Sequence, residues 1–259
     1  MTMNRMVPYF DYFSDLSQSQ LQQCVYYHQK VVDFYPFQRS EGYQMMGYCY
    51  DRLAKPSNAL KAFQKAMESN PNYFWPYYNL GLESYKAGQW QRAINYFQQA
   101  LQTDLRFNII LLAHSKIFLD VRLSNRKNPD YDFLGALREG SENAYIFMME
   151  SQGNLKDYKK LFETSMIGLK QEIGDPDIFY FYAAKAAFHL KLYDQSIELL
   201  KSSIQNNPNN YEAYLYLGMC MRLVGKEDVA QALKFKADQL HLAQSSAIER
   251  RLNSGVRFF

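Results

Sequence analysis

The stretch "NLGLESYKAGQWQRAI", residues 79–94, places two small residues at a fixed distance within a helical sequence. Gly81 and Ala93 are separated by eleven residues, although a glycine inside a helix costs about 0.5 to 1 kcal/mol relative to alanine. The same spacing recurs three times, at Gly47 and Ala59, at Ala184 and Ser196, and at Gly218 and Ala230. A small side chain at a recurring position indicates that two helices cross closely there, because the distance between helix axes depends on the side chains at the contact.

The spacing defines a repeat of 34 residues. Gly47 and Gly81 are 34 residues apart, as are Ala184 and Gly218, and the 103 residues from Gly81 to Ala184 equal three periods plus one. Each unit contains two helical patterns, and Gly88 joins them in the second unit with a residue suited to a left-handed helix end. One hairpin cannot bury its apolar faces alone, so the units must stack. The sequence therefore predicts an all-α fold, an α-solenoid of stacked antiparallel helical hairpins.

The residues at the repeating positions carry a family resemblance. The first unit has Tyr43, Met46, Gly47, Tyr50, Ala59, Phe63, Ala66 and Pro71. The second has Tyr77, Leu80, Gly81, Tyr85 (one residue late), Ala93, Phe97 and Ala100, with Leu105 where the pattern usually has proline. This pattern resembles the tetratricopeptide repeats. The resemblance implies a TPR-like right-handed superhelix, and it specifies architecture better than function.

The repeat pattern divides the chain into five predicted segments. They are an N-terminal helical hairpin (1–39), two clear units (40–107), two degenerate repeats (108–176), two further clear units (177–244), and a C-terminal capping helix with a tail (245–259). For 108–176 the alternative is a loop insertion without repeats, which the helical periodicity on both sides disfavours. We also expect a helix capped near Ser17 or Ser19 that ends before Pro36. A short helix over 133–140 and a separate hairpin turning at Gly153 should follow in the middle segment.

Charge and hydropathy exclude two classes of protein. The net charge of +3 arises from 29 basic and 26 acidic residues spread along the chain, which is too balanced for an electrostatic nucleic-acid binder. The longest apolar stretch, residues 107–121, is interrupted by His114 and Lys116, well short of the roughly 20 residues that span a bilayer. No secretory signal opens the sequence. We expect a cytoplasmic protein that meets a membrane only through a partner or through an anchor in a longer parent protein.

Motifs that carry catalytic or metal chemistry are missing from the sequence. The four histidines form no ligand spacing, and the glycines form no phosphate-binding or nucleophile-elbow motif. Three cysteines without paired spacing, Cys24, Cys49 and Cys220, predict free thiols rather than a disulfide framework. We therefore expect a protein that is not an enzyme and uses no cofactor or metal.

The family resemblance implies a concave groove lined by repeat positions two, five, nine and twelve, whose spacing places them on one face of a helix. The predicted peptide-binding residues are Tyr48, Trp75, Tyr78, Leu82, Tyr85, Lys116, Phe181, Lys185, Phe188 and Arg222. Aromatic side chains supply a large contact area, and the three cations favour an acidic neighbour. We expect Trp75 and Tyr78 to be accessible. The alternative is that the aromatic residues pack against the N-terminal stretch or the irregular middle of the same chain.

These residues predict a scaffold that binds a peptide or helix of a partner protein. A carboxylate clamp for chaperone tails, known in the family, is disfavoured. Gln44 and Tyr48 stand where a lysine and an asparagine would be needed, Ile109 and Ala113 stand where cations would be needed, and Asn79 alone fits. Two alternatives remain open: self-assembly through the terminal hairpins into a homo-oligomer, and a role as the soluble accessory domain of a membrane-associated enzyme or transport complex.

Overall fold

The computed structural model describes residues 16–104 and 133–253, with side chains over 16–104 and 137–246. All regular structure in these ranges is helical, which confirms the predicted fold class. The α-helices are α1 (Gln18–Phe34), α2 (Arg39–Arg52), α3 (Pro56–Ser69), α4 (Phe74–Lys86), α5 (Trp90–Leu101), α6 (Phe133–Asn154), α7 (Tyr158–Lys170), α8 (Pro176–His189), α9 (Tyr193–Asn206), α10 (Tyr211–Leu223) and α11 (Glu227–Asn253). A short 3-10 helix, Pro36–Gln38, joins α1 to α2.

The helices pack as successive antiparallel hairpins. The four clear repeats are the pairs α2 with α3, α4 with α5, α8 with α9, and α10 with α11, and α1 packs against α2. Helices α6 and α7 meet through buried hydrogen bonds, one from Ser165 Oγ to Met149 Sδ at 3.2 Å and one from Gln152 Nε2 to Thr164 Oγ1 at 2.9 Å. The chain forms two compact units, Met1–Met148 and Met149–Phe259, whose boundary falls within α6.

The small residues of each hairpin lie where the two helices meet, as predicted. A Cβ atom built on Gly81 would lie 2.8 Å from two ring carbons of Phe97, so the glycine makes room for the aromatic ring of the second helix. In the α8–α9 hairpin, Ser196 Oγ donates a hydrogen bond of 2.9 Å to the carbonyl oxygen of Ala184. The atoms nearest to Gly81 across the hairpin are therefore those of the Phe97 ring, and Ala93 is itself fully buried in α5.

Three predicted helix ends are confirmed. Ser17 caps α1 through a reciprocal pair of hydrogen bonds, in which its hydroxyl accepts from the Gln20 amide and the Gln20 side chain accepts from the Ser17 amide. The helix ends at Phe34, before Pro36. Gly88 follows α4 with φ of +69°, the left-handed conformation that glycine adopts without steric cost.

Two segment boundaries differ from the prediction. Helix α6 is continuous from Phe133 to Asn154, so Gly153 lies within the helix, and the left-handed turn falls on Lys156, with φ of +58°. Helix α11 is likewise continuous, so the predicted capping helix from residue 245 is an extension of the last repeat to Asn253. No proline interrupts either helix, and an isolated glycine weakens a helix without ending it.

The prediction of three free thiols is wrong for two of them. A disulfide joins Cys24 of α1 to Cys49 of α2, with Cα atoms 6.5 Å apart. The two cysteines are 25 residues apart in sequence and meet because α1 packs beside α2. Cys220 is free and buried as expected, and burial raises the pKa of its thiol.

Candidate peptide-binding surfaces

The predicted groove residues fall on two surfaces, one in each compact unit. Tyr48 of α2 and four residues of α4 belong to the first unit, and three residues of α8 and one of α10 belong to the second. The first face, as we use the term, consists of Tyr48, Trp75, Tyr78, Leu82 and Tyr85. The second face consists of Phe181, Lys185, Phe188 and Arg222. Lys116 lies outside the described residues.

The first face is buried. Trp75 has an exposed fraction of 1%, Tyr78 has none, and Tyr48 and Leu82 are also buried, whereas Tyr85 is half-buried. The expectation that Trp75 and Tyr78 are accessible is therefore wrong. These side chains belong to the interior of the first compact unit.

Helix α6 covers this face through a close approach at a glycine. A Cβ atom on Gly140 would lie 2.9 Å from Cη2 of Trp75 and 3.1 Å from Cε1 of Phe74, so no larger residue fits without movement. Two turns further along α6, the ring of Phe147 lies 4.9 Å from the ring of Tyr85 and stacks on Phe97 at 5.8 Å. The irregular middle of the chain thus packs on the predicted groove, as in the alternative that the sequence left open.

The hydroxyl groups of Tyr48 and Tyr78 in the first face are buried away from solvent. The Tyr48 hydroxyl accepts a hydrogen bond of 3.1 Å from Asn79 Nδ2, and burial raises the pKa of Tyr48 to about 12. Burial also raises the pKa of Tyr78, whose hydroxyl has no hydrogen-bond partner in the described part of the chain. A ligand could reach these groups only if α6 moved away.

The second face is more open. Phe181 is buried, Lys185 and Phe188 are half-buried, and the Arg222 side chain is 60% exposed. The ring of Tyr216 in α10 ties the surface together, because it lies 5.7 Å from the ring of Phe181 and 5.5 Å from that of Phe188. Sequence reasoning missed Tyr216, since it stands at repeat position six, one residue beyond the positions chosen as groove-lining.

Lys185 stands at the centre of the second face. Its Nζ lies 5.9 Å from the ring centroids of both Tyr182 and Tyr216, within the range of a cation–π contact. Glu150 accepts a hydrogen bond from the Tyr182 hydroxyl, and Glu227 pairs with Arg222 at 3.2 Å. Among the described residues, no carboxylate lies within 4 Å of Lys185.

The lysine also affects its neighbour. The pKa of His189 is lowered, first by burial and second by the positive charge of Lys185. His189 stacks on Tyr158 with ring centroids 4.2 Å apart. The lowered pKa favours the neutral form of His189, so Lys185 and Arg222 supply the positive charge of the second face.

Neither a metal site nor a membrane-spanning helix is found among the described residues. No three histidine, cysteine or acidic side chains gather there as a metal site. None of the helices described is both long enough and apolar enough to cross a bilayer. The second face offers aromatic surface and positive charge, which suit recognition.

Comparison with known proteins agrees with this architecture. Profiles described as tetratricopeptide repeat match residues 40–73 and 75–106, the first two predicted units. The human tetratricopeptide repeat protein 6 is 23% identical over 177 residues. The match covers 65% of this chain and 32% of the human protein, so the chain spans about a third of that relative's length.

Solved structures show the same fold. YrrB, described as a TPR protein with an unusual peptide-binding site, superposes with a TM-score of 0.58 at 12% identity, over 86% of this chain and 97% of its own. MamA from Desulfovibrio magneticus RS-1, residues 41 to the end, gives 0.56 at 16% identity, over 79% of this chain and 96% of its own. At such low identity the similarity establishes the fold alone. Residues 40–73 and 75–106 are therefore tetratricopeptide repeats, and they lie in a stack of helical hairpins of the same fold.

Proposed function

We propose that this chain is a non-enzymatic scaffold that binds a peptide or short helix of a partner protein on the second face. A role in protein interaction is the general use of the fold. The environment of Lys185 is the observation that supports a binding site on the second face. This lysine is half-buried between two tyrosine rings, and no carboxylate of the described chain lies within 4 Å of it. The cytoplasmic location and the contribution of Lys116 stay predictions.

The chemistry of the second face favours an acidic residue flanked by apolar ones. The rings of Tyr182 and Tyr216 remove part of the water around Lys185, so an ion pair formed there should be worth more than one at a fully exposed site. Apolar contacts can form with Phe188 and with Leu215, which is 37% exposed on α10. Arg222 offers a second cation at the end of the same helix.

The first face is an unsuitable site for the same partner. Its aromatic residues lie under α6, and uncovering them would expose buried apolar surface at a cost of about 25 cal/mol per Å². We therefore limit the proposed contacts to Phe181, Lys185, Phe188 and Arg222.

An affinity capture with quantitative mass spectrometry tests the proposal. The binding variant combines Lys185→Glu with Phe188→Ala, and the matched control is Lys201→Glu, an exposed lysine on α9 paired with Glu198. Wild type and control should recover the same partner, and the binding variant should lose it, with an affinity about tenfold weaker or more. Equal recovery by all three proteins, each shown to be folded by circular dichroism at the temperature of the capture, would contradict the proposal.

One observation favours self-association as a second candidate function. Phe235 on α11 is 64% exposed, whereas the equivalent residues of the other clear repeats are the polar Gln64, Gln98 and Lys201. Leu242, two turns further on, is also exposed on that side of the helix. An apolar stripe at a position that the other repeats keep polar suits contact with a second copy of the chain.

Sedimentation velocity over a range of concentrations tests this candidate. If α11 forms the contact, the wild type should sediment as a dimer or larger species, and Phe235→Gln with Leu242→Gln should sediment as a monomer. Phe188→Ala serves as the control and should behave as wild type. A monomeric wild type at every concentration would remove the candidate.

A further inference from the structure

A groove of about 390 Å³ lies between α1, α2 and α3 in the first compact unit, and it shares no residue with the second face. Gln29 of α1 forms one wall, Tyr43, Met46 and Tyr50 of α2 form the floor, and Lys61 and Lys65 of α3 stand on the opposite wall. We propose that this groove binds an extended acidic segment of a partner protein, independently of the function proposed for the second face.

The floor can receive an apolar side chain. Met46 is buried in a cluster with Val32 and Ala62, and the rings of Tyr43 and Tyr50 pack against this cluster while remaining partly exposed. A side chain entering the groove would therefore gain apolar contact without opening the core.

The wall formed by α3 supplies the charge. Lys61 and Lys65 are one helical turn apart and exposed, and in the described chain neither has a carboxylate within 4 Å. The Nζ of Lys65 lies 5.3 Å from the ring centroid of Tyr43, which turns the cation toward the floor. Glu68 is the single acidic residue of the lining, so the groove carries a net charge of +1, from two lysines and one glutamate.

The other repeats show that the fold does not require these lysines. The residues equivalent to Lys61 and Lys65 are Asn95 and Gln99 in the second unit, Glu198 and Ser202 in the fifth, and Ala232 and Lys236 in the sixth. The paired lysines are therefore specific to the first unit, where the groove is. Complementary charge is a feature that selects partners and accelerates their association.

The wall formed by α1 is fixed in place. The disulfide between Cys24 and Cys49 ties α1 to α2, and Arg39 Nε donates a hydrogen bond of 3.2 Å to the carbonyl oxygen of Val32 near the end of α1. Gln29 is held by its hydrogen bond of 2.8 Å to Asp33. A groove with rigid walls loses less conformational entropy when a segment binds.

Fluorescence anisotropy with short labelled peptides tests the proposal. The probe alternates glutamate with leucine, and its counterpart has glutamine in place of every glutamate. All measurements use protein that carries Lys185→Glu, so that the second face cannot capture the acidic probe and the two proposals fail separately. We expect the acidic probe to bind about tenfold more tightly than the glutamine peptide, with an affinity that falls as salt is added.

Charge reversal in the same background locates the site. Lys61→Glu with Lys65→Glu should weaken binding of the acidic probe by about tenfold or more, whereas Lys234→Glu with Lys236→Glu on α11 should leave it unchanged. Carbodiimide coupling, which joins a carboxylate to a lysine amine, should link the probe to Lys61 or Lys65. Equal binding of the two peptides, an unaffected double variant, or coupling spread evenly over the exposed lysines would overturn the proposal.

Discussion

The first and second faces occupy the same repeat positions, yet one is interior and the other is partly open. Tyr78 and Phe181 share position five and are both buried. Position nine differs between the two faces. Leu82 is buried in the first face, whereas Lys185 is half-exposed between two aromatic rings in the second. A leucine at this position allows another helix to close over the face, and a lysine keeps the face in contact with water.

The closing helix also needs a small residue of its own. Gly140 brings α6 against Trp75 and Phe74, and Phe147 fills the space beside Tyr85. In the second compact unit, the equivalent contact to Phe188 comes from Tyr216 of the next repeat. The difference between the faces therefore depends on two features, the residue at position nine and the glycine on the covering helix.

Exchanging the residues at position nine should produce the largest effect. Leu82→Lys places an unpaired ammonium group in the covered face, which should lower the free energy of unfolding by about 3 to 5 kcal/mol. Lys185→Leu, the reciprocal control, should change it by less than about 1 kcal/mol, because that side chain is partly exposed. Urea unfolding measures both. Similar effects of the two substitutions would show that the faces do not differ as described.

Filling the close approach of α6 should have a smaller effect. Gly140→Ala puts a methyl group 2.9 Å from the Trp75 ring, so overpacking should cost about 1 to 3 kcal/mol. Gly153→Ala in the same helix is the control, because its Cβ would meet no atom closer than 3.9 Å, and it should stabilise by up to about 1 kcal/mol. Thermal unfolding separates the two, and a stabilising Gly140→Ala would contradict the contact.

Alkaline pH should weaken the first face through its buried phenol. The folded-state pKa of Tyr48 is about 12, above its ordinary value of 10.0, because burial disfavours the phenolate. A raised folded pKa gives stability that is complete below pH 10.0 and is lost as the pH rises toward 12. The loss should be about 2 kcal/mol.

Tyr48→Phe should remove that part of the pH dependence, since phenylalanine cannot ionise. Urea unfolding at several pH values from neutral to strongly alkaline measures the slope for both proteins. The expected result is a shallower decline in the variant. An identical decline would show that the Tyr48 hydroxyl is solvated in the folded protein.

Truncation on the second face should have the smallest effect on stability. Phe188→Ala removes a half-buried ring, so the free energy of unfolding should fall by about 1 kcal/mol, well below the cost for a fully buried aromatic residue. Thermal unfolding beside Trp75→Ala gives the comparison. Equal destabilisation by the two substitutions would mean that the second face is as closed as the first.

Local sequence patterns were sufficient to predict the hairpins. The spacing of Gly81 and Ala93 identified the close contact within each repeat, and Ser17 and Gly88 identified helix ends, because each signal depends on residues of a single hairpin or a single helix. The ring that fills the space at Gly81 belongs to Phe97, which the repeat pattern had already placed on the same hairpin.

The state of the groove depended on contacts between distant residues. Trp75 and Gly140 are 65 residues apart in sequence, and the repeat pattern is lost between them, so no spacing predicted that they meet. The glycine was itself a signal, because a glycine within a helical pattern that ends no helix indicates a close approach. Cys24 and Cys49 were missed for a related reason, since their pairing requires α1 to pack beside α2.

Collisional quenching of tryptophan fluorescence tests the central claim that the first face is interior. The chain has two tryptophans, Trp75 and the half-buried Trp90, so Trp90→Phe reports on Trp75 alone and Trp75→Phe reports on Trp90 alone. In the native protein, acrylamide should quench Trp75 far less than Trp90, and adding Gly140→Ala should increase the quenching of Trp75. Quenching of native Trp75 at the rate found for the urea-unfolded chain would contradict the account, because it would show that α6 leaves the first face open to solvent.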